Sequence, residues 1–427
     1  MPPPSAPKHV VILGAGVIGL QTALCLLGSG YRVTVIAEFA PGDTDGEYAS
    51  PWAGAHWRTH AERSAEEECA WDVETYRAWK AVVEREGEER ARRVRGVGVY
   101  TSLQYWTHPH AEITPSPSAL WWAPFVDRFA ILPPTDLPPR THAGVSFQTF
   151  ALNVPLYLSS LLRSFLSFPS PMSRLVKARL PAPLPAALLH AQSHLLRHEP
   201  VHAWVNATGL GAGNLVPDRA VYPVRGQTVL VRGEAKAVRT RLGGGKGGRA
   251  GVCDSETGER DDGVGGDEGG RGLVSWSSCP KSPFGEIYTW EGRGCWDTNP
   301  DDEATERILK GCGELAPELL DEEGGFEVLS VQVGLRPARK GGARVELEEV
   351  VAEAKPELEM ESEVESGMGD GMGMGTEGEG ETRQKRWTVV HCYGHAGAGY
   401  QNSVGSAREV VRLLEEYGKG VSQGAKH

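Results

Sequence analysis

Three glycines near the amino terminus have the spacing of a phosphate-binding turn. Directly after the apolar run at residues 10–13 comes the segment Gly14-Ala15-Gly16-Val17-Ile18-Gly19. In such a segment Gly14 permits a tight turn, Gly16 lets the backbone approach a pyrophosphate, and Gly19 allows close packing of helix on strand. The helix that follows directs free N–H groups and the positive end of its dipole at the phosphates. The spacing therefore predicts a dinucleotide site.

An acidic residue further along narrows the choice of dinucleotide. Glu38 lies 24 residues after Gly14, just beyond a second apolar run at 32–36. A carboxylate at this place accepts hydrogen bonds from ribose hydroxyls and repels a 2′-phosphate, which disfavours NADP. These residues alone leave FAD and NAD open.

One βαβ unit must position this site. Residues 10–13 are typical of a buried parallel strand, residues 17–27 of an apolar helix, and residues 32–36 of the next strand. About thirty residues is the expected length of such a unit. Periodicity and composition predict the later elements, which are helices over 61–88, 156–166 and 406–417 and strands over 96–102, 204–209 and 225–231.

Composition limits the class of partner. The 427 residues carry a net charge of -12, which argues against a nucleic acid or an anionic membrane surface and favours a small-molecule substrate. Seven scattered cysteines without a Cys-x-x-Cys pair argue against a disulfide framework and a zinc site, so we expect a reducing compartment and no metal. The amino-terminal apolar run is too short and interrupted for a membrane-spanning helix, and we expect no signal peptide.

Two stretches have the composition of insertions outside the folded core. They are residues 243–272, rich in Gly, Asp, Glu and Arg, and residues 348–382, where a Gly/Met tract lies between acidic runs. Such segments bury too little apolar surface to offset the entropy of ordering. We therefore predict disorder in both.

Five blocks of the chain resemble fungal D-amino-acid oxidases, whose close relatives are the D-aspartate oxidases. In order they are Tyr48-Ala-Ser-Pro-Trp-Ala-Gly-Ala-His-Trp57, Val205-Asn-Ala-Thr-Gly-Leu-Gly-Ala212, Val224-Arg-Gly-Gln-Thr-Val-Leu-Val231, Val333-Gly-Leu-Arg-Pro-Ala-Arg339 and His391-Cys-Tyr-Gly-His-Ala-Gly-Ala-Gly-Tyr-Gln401. Together with the amino-terminal turn they extend over most of the chain, and the match is weakest between residues 60 and 200.

The resemblance implies an α/β fold with FAD as cofactor. A Rossmann-type FAD-binding domain would be interleaved with a substrate domain built on a large, mostly antiparallel sheet. The FAD-binding domain would take residues 7–60, 151–220 and 336–418, and the substrate domain most of 61–150 together with 221–335.

The same resemblance assigns further residues to the cofactor. One group surrounds the pyrophosphate and the flavin edge, and the other is a glycine-rich turn whose amides face the pyrimidine end of the flavin, where a helix start stabilises negative charge on the reduced ring. The first group is Ser50, Ala53, Gly54 and Ala55, with Thr208 and Gly209 also at the cofactor. The second group is Gly397, Ala398, Gly399, Tyr400 and Gln401.

Arg336 matches the family arginine that binds the substrate carboxylate, a task for which a planar guanidinium is suited. From spacing alone, ordinary surface arginines are the better explanation of Arg336 and Arg339. The resemblance implies that a D-amino acid and O2 react without a side-chain base. The α-hydrogen passes as hydride to flavin N5, water hydrolyses the resulting imino acid to a 2-oxo acid and ammonia, and the reduced flavin converts O2 to hydrogen peroxide. Gln401 is predicted to join Arg336 as a catalytic residue.

The chain departs from the family pattern at the substrate. Trp276 and Glu291 align with two family tyrosines, and a slip of one residue would offer Trp290 instead of Glu291. Trp276 cannot hydrogen-bond a carboxylate as a phenol does, and Glu291 would favour a basic substrate. We nevertheless predict both as catalytic-site residues.

Several basic side chains close to these segments leave another substrate open. His56, Arg58 and Arg293 could hold a second carboxylate, as D-aspartate oxidases require, although a structural role explains each of them as well. For His395, before the flavin-facing turn, we predict a structural role.

Other functions stay open from the sequence alone. They are oxidation of D-aspartate or of an amine such as sarcosine or glycine, an NAD-dependent dehydrogenase, and a flavin-binding protein without catalysis. Kinship suggests the peroxisome, whereas the ending Gly-Ala-Lys-His, in place of Ser-Lys-Leu, leaves the cytoplasm open. Assembly as a homodimer is likewise open.

Overall fold

The computed structural model describes residues 6–108, 120–195, 199–233, 235–242, 250–254, 271–276, 295–354 and 383–424. The strands are β1 (His9–Leu13), β2 (Arg32–Ala37), β3 (Val97–Trp106), β4 (Ala130–Ile131), β5 (Ala143–Leu152), β6 (Ser173–Lys177), β7 (Ala203–Asn206), β8 (Val221–Arg232), β9 (Val238–Leu242), β10 (Ala250–Asp254), β11 (Arg271–Trp276), β12 (Val328–Arg339), β13 (Arg344–Ala354) and β14 (Arg383–Tyr393).

The helices are α1 (Val17–Gly28), α2 (Glu66–Glu86), α3 (Glu88–Arg90), α4 (Val154–Leu166), α5 (Leu184–Ser193), α6 (Ala212–Leu215), α7 (Asp302–Leu315) and α8 (Ser403–Gly424). Short 3-10 turns at Ser50–Trp52 and Ala396–Ala398 contribute to the site described below. Within the described ranges, no helix is long and apolar enough to cross a membrane.

The first sheet has the strand order β13-β14-β7-β1-β2-β6. Its neighbouring strands run parallel except for the antiparallel pair β13–β14. All five residues of β1 are buried because both faces of the sheet are covered. Val10 and Ile12 face a core that includes α1, α4 and α8, whereas Val11 and Leu13 face a core that includes α5.

The second sheet has the order β12-β8-β11-β10-β9-β3-β5-β4. Its pairs are antiparallel except for β3–β9. The amphipathic helix α7 covers part of it, with Ile308 and Cys312 packed against Val229 and Val231. The predicted α/β class, with a mostly parallel sheet and a mostly antiparallel one, is confirmed.

Both predicted insertions are partly wrong. Strand β10 and the start of β11 lie within 243–272, and residues 348–354 form the second half of β13. The composition led to the wrong prediction because strand pairing uses backbone groups, which every residue type supplies. β10 lies between β9 and β11, and β13 pairs with β14 over its whole length as an edge strand that tolerates charged residues. The other residues of the two insertions lie outside the described ranges.

One predicted domain boundary is also corrected. The substrate domain was expected to end at residue 335, but β12 continues to Arg339 within the second sheet. The register with β8 is unbroken from Ser330 onward and pairs Arg336 with Val224. Arg336 therefore belongs to the second sheet, facing the junction with the first.

Candidate active site

The turn between β1 and α1 requires glycine at two positions. Gly14 has φ +106°, and a Cβ there would lie 2.5 Å from the carbonyl oxygen of Ala207. A Cβ on Gly19 would collide with the carbonyl oxygen of Gly14. Larger residues would therefore push apart β1, β7 and α1, whose ends form the predicted phosphate site.

The start of α1 meets the segment that follows Tyr48. The Val17 amide donates to Ser50 Oγ over 3.0 Å, and a Cβ on Gly16 would lie 2.8 Å from the same oxygen. The Tyr48 hydroxyl donates to the Ala15 carbonyl over 2.9 Å, and burial raises the pKa of Tyr48, so the donor stays protonated. These contacts place the Ser50 hydroxyl at the start of α1, where it accepts from the Val17 amide and where a phosphate oxygen would also bind.

The carboxyl end of β7 is held by a chain of polar contacts. Burial lowers the pKa of His391, so its ring is neutral. Its Nε2 lies 3.0 Å from Glu348 Oε2, which can only accept, so the ring proton belongs there and Nδ1 accepts from Asn206 Nδ2 at 3.2 Å. Asn206 Oδ1 then accepts from the Thr208 hydroxyl at 2.7 Å. Thr208 is thereby fixed beside the glycine turn.

Glu38 directly follows β2 at the same edge of the sheet. Its carboxylate lies 3.4 Å from Nη1 of Arg179, and both side chains are substantially exposed. An exposed ion pair of this kind is weak, so a ribose can compete for the carboxylate.

The glycine-rich turn 397–401 joins β14 to α8. Gly397 is exposed and both Ala398 and Gly399 are half-buried, so their backbone can be reached by a ligand. The Tyr400 hydroxyl donates to the Ser50 carbonyl over 2.9 Å, which ties the turn to the phosphate end. The glycine turn 14–19, Ser50, Thr208 and the turn 397–401 therefore lie together as one cradle, with Glu38 at the same edge of the sheet. Its helix start, its small residues and the acid at the predicted ribose end fit FAD.

Arg336 has a seat made by two glycines. Its guanidinium lies over Gly226 of β8, where a Cβ would collide with it, and a Cβ on Gly397 would lie 3.5 Å from Arg336 Cδ. The arginine side chain therefore extends between the second sheet and the flavin-facing turn. A guanidinium in such a place can bind a carboxylate through two parallel N–H···O bonds.

His60 lies close enough to Arg58, His56 and Arg336 to interact with all three electrostatically. Arg58 Nη2 lies 3.3 Å from His60 Nε2, and Arg58 is the largest cause that holds the pKa of His60 well below its usual range. The neighbouring His56 and Arg336 lower it further. The His60 side chain is solvent accessible. A neutral His60 can accept from Arg58, and the region favours negative ligands.

The predicted catalytic role of Gln401 is not supported for its side chain. Gln401 is buried, and its Nε2 donates to Asp72 Oδ1 over 3.0 Å. The buried carboxylate needs donors, so the amide serves α2 rather than the pocket.

His395 agrees with its predicted structural role. It is buried beside Trp71, with ring centroids 6.1 Å apart, and burial lowers its pKa to about 4.

The predicted substrate floor is only partly within the described residues. The backbone of Trp276 pairs with Gln227, next to the glycine that seats Arg336. Nothing is described of the Trp276 side chain. Glu291, Trp290 and Arg293 lie outside the described ranges, so their roles remain predictions.

Sequence reasoning missed two residues of this region. His60 was overlooked although it stands two residues after Arg58, directly after a block that matches the family. Asp72 was overlooked although it interrupts a helical face that includes Tyr76 and Trp79. A lone acid on an apolar face was the available signal.

Comparison with known proteins agrees with this geometry. Residues 9–413 match the DAO family, described as FAD dependent oxidoreductase. The chain is 30% identical to a D-amino-acid oxidase of Fusarium vanettenii, covering 96% of this chain and 97% of that protein. It is 28% identical to a D-aspartate oxidase of Cryptococcus neoformans var. grubii, covering 97% and 98%.

Among solved structures, a glycine oxidase from Bacillus cereus superposes with a TM-score of 0.57 at 13% identity, covering 96% of this chain and 95% of that one. At this identity the likeness shows the fold alone. The family match over nearly the whole length shows that this chain belongs to the DAO family of FAD-dependent oxidoreductases.

Proposed function

We propose that the chain is a D-amino-acid oxidase that releases a 2-oxo acid, ammonia and hydrogen peroxide. The observation that carries the proposal is the seat of Arg336 between Gly226 and Gly397. It brings a guanidinium, the preferred partner of a carboxylate, beside the turn predicted to face the flavin. Family membership in the FAD-dependent oxidoreductases sets aside the NAD-dependent dehydrogenase.

The residues that would hold FAD come from separate segments. The glycine turn 14–19 and Ser50 would bind the pyrophosphate, Glu38 would bind the ribose, and the turn 397–401 would face the ring. When bound, FAD supplies the hydride acceptor and afterwards passes the electrons to oxygen.

The protein contributes orientation. Arg336 holds the substrate carboxylate, which fixes the α-carbon on the side of the turn 397–401. A bidentate contact restrains both the position and the rotation of the substrate. The α-hydrogen would therefore point toward the flavin without the help of a side-chain base. His60 is neutral because its pKa is low, and the charges of Arg58 and Arg336 remain to attract an anionic substrate.

A second candidate substrate is D-aspartate. Arg58, His60 and His56 interact electrostatically on the Arg336 side of the pocket. Such a group provides a place for a second carboxylate beyond the one that Arg336 binds. The Cryptococcus relative, whose name gives this activity, supports the candidate.

A substrate panel tests both candidates. The purified protein is mixed with D-alanine, D-valine, D-aspartate, glycine or sarcosine, peroxide is measured in air, and bleaching of the flavin band is measured without oxygen. Turnover of D-alanine or D-valine supports the first proposal, and turnover of D-aspartate alone supports the second. Turnover of glycine or sarcosine alone contradicts both. A yellow protein that no substrate bleaches would show a flavin-binding protein without this catalysis.

A further inference from the structure

A buried carboxylate outside the predicted site connects directly to it. Asp72 lies on α2, is fully buried, and shares its helical face with Thr75, Tyr76 and Trp79. A charged or polar group at such a place is unfavourable unless it is hydrogen-bonded.

Consecutive residues of the carboxyl-terminal turn supply donors to Asp72. Its Oδ1 accepts from Gln401 Nε2 at 3.0 Å and from Asn402 Nδ2 at 2.6 Å. Both amides are buried. An apolar residue at position 72 would avoid the desolvation but leave the two amides without this acceptor.

The same part of α2 fixes the start of α8. Thr75 Oγ1 accepts from the backbone amides of Val404 at 3.2 Å and of Gly405 at 3.3 Å. A Cβ on Gly405 would collide with the backbone of Trp71, so the two helices cross in close contact. The position of the turn therefore depends on α2.

Asp72 also reaches the substrate side. Its backbone carbonyl accepts from Trp57 Nε1 over 2.9 Å. Trp57 is fully buried and directly precedes Arg58, the residue that contacts His60. One residue of α2 thus joins the flavin-facing turn to the segment that carries the basic groups.

We propose that Asp72 is a positioning residue that holds the turn 397–402 in the geometry that FAD binding requires. The proposal rests on the flavin lying against this turn. It does not depend on which substrate is oxidised, so it is separable from the proposed activity.

Protonation of Asp72 gives the proposal a measurable signature. Burial, the largest cause, raises the pKa of Asp72 to about 7, and Glu68 on the same helix raises it further. Facing it from the other segments are the hydroxyl of Thr59 and the amides of Gln401 and Asn402, which lower it. Above this pKa, Oδ1 of the ionised carboxylate accepts from both amides. Below it, a proton on Oδ2 leaves Oδ1 as a neutral carbonyl oxygen, which accepts from the same amides more weakly.

The sign for stability is opposite to that of an ordinary ion-paired acid. A carboxyl whose pKa is higher in the folded than in the unfolded state makes folding less favourable as pH rises between the two values. For Asp72 this window runs from about 4 to about 7. The ionised form therefore costs stability while it accepts from the turn.

The test is FAD affinity, measured by fluorescence titration of the apoprotein between pH 6 and 8.5. Asp72→Asn removes the charge at constant shape, and Glu74→Gln is the matched control, because Glu74 joins the same two helices through an exposed ion pair with Arg408. We expect Asp72→Asn to bind FAD about tenfold more weakly at pH 8. The wild type and Glu74→Gln should both bind FAD more tightly above pH 7 than below it. Asp72→Asn should lose this pH dependence.

Unchanged FAD affinity and pH dependence in a folded Asp72→Asn protein would overturn the proposal, even if its melting temperature fell. If that variant does not fold, Asn402→Ala breaks the contact from the turn, and weaker FAD binding supports the proposal whereas unchanged binding overturns it. A wild type that binds FAD but oxidises no D-amino acid would refute the proposed function and leave this inference standing.

Discussion

The nucleotide cradle and the substrate pocket are built by different means. In the cradle, the space between backbone segments determines which residues fit, because Gly14 and Gly19 have no room for a side chain. In the proposed pocket, the charges of Arg58 and Arg336 would select the substrate. Arg58 contacts His60 two residues along the chain, whereas Arg336 is seated by Gly226 and Gly397 on distant segments. Cofactor binding should therefore be sensitive to single methyl groups, whereas substrate choice should be sensitive to charge.

The largest effect is expected from Gly14→Ala. Its φ of +106° strains alanine, and the new Cβ would lie 2.5 Å from the Ala207 carbonyl oxygen. Strain and overpacking together cost about 4 kcal/mol, so FAD affinity should fall by about a thousandfold. Gly28→Ala is the control, because no atom lies within 4 Å of its Cβ. If purified Gly14→Ala retained its flavin absorbance, backbone space at Gly14 would not control FAD binding, and the proposed difference between cradle and pocket would be contradicted.

A smaller effect is expected from Arg336→Lys. Lysine keeps the charge but loses the planar fork, and kcat/KM for the best D-amino acid should fall by about a hundredfold with FAD still bound. The control is Arg339→Lys, three residues along the same strand. Arg339 contacts Asp218, so this substitution should leave kcat/KM nearly unchanged. Equal losses in the two variants would mean that Arg336 has no special role at the substrate.

The seat of Arg336 can be disturbed without touching the arginine. In Gly226→Ala the new Cβ collides with the guanidinium, whose flexible side chain moves more easily than the backbone. We expect KM to rise about tenfold, with kcat less affected. Gly213→Ala, where the nearest atom would be at 3.6 Å, is the control. Steady-state kinetics decide, and an unchanged KM would contradict the proposed seat.

The smallest effect separates the two candidate substrates. Arg58→Gln removes a charge beside His60, and if D-aspartate is oxidised, its kcat/KM should fall about fivefold relative to that of D-alanine. Arg85→Gln is a control at an exposed arginine on α2. A parallel loss for both substrates would exclude a specific contact with the second carboxylate.

Local sequence predicted the parts of the molecule that depend on neighbouring residues. The first strand, the glycine turn and α1 were expected over 10–27 and are found over 9–28. Strand β13 escaped prediction because its acidic residues lie on an edge strand, where pairing with β14 stabilises a composition typical of a loop.

By itself the sequence determined the nucleotide turn, because the steric limits on Gly14, Gly16 and Gly19 act within one short segment. It also pointed to Arg336, through a block that resembles one family. Only the tertiary structure decided that Gly226 seats this arginine and that Gln401 binds Asp72 instead of entering the pocket. The physical reason is that backbone limits belong to residue type, whereas side-chain partners depend on strand register and helix crossing across the whole chain.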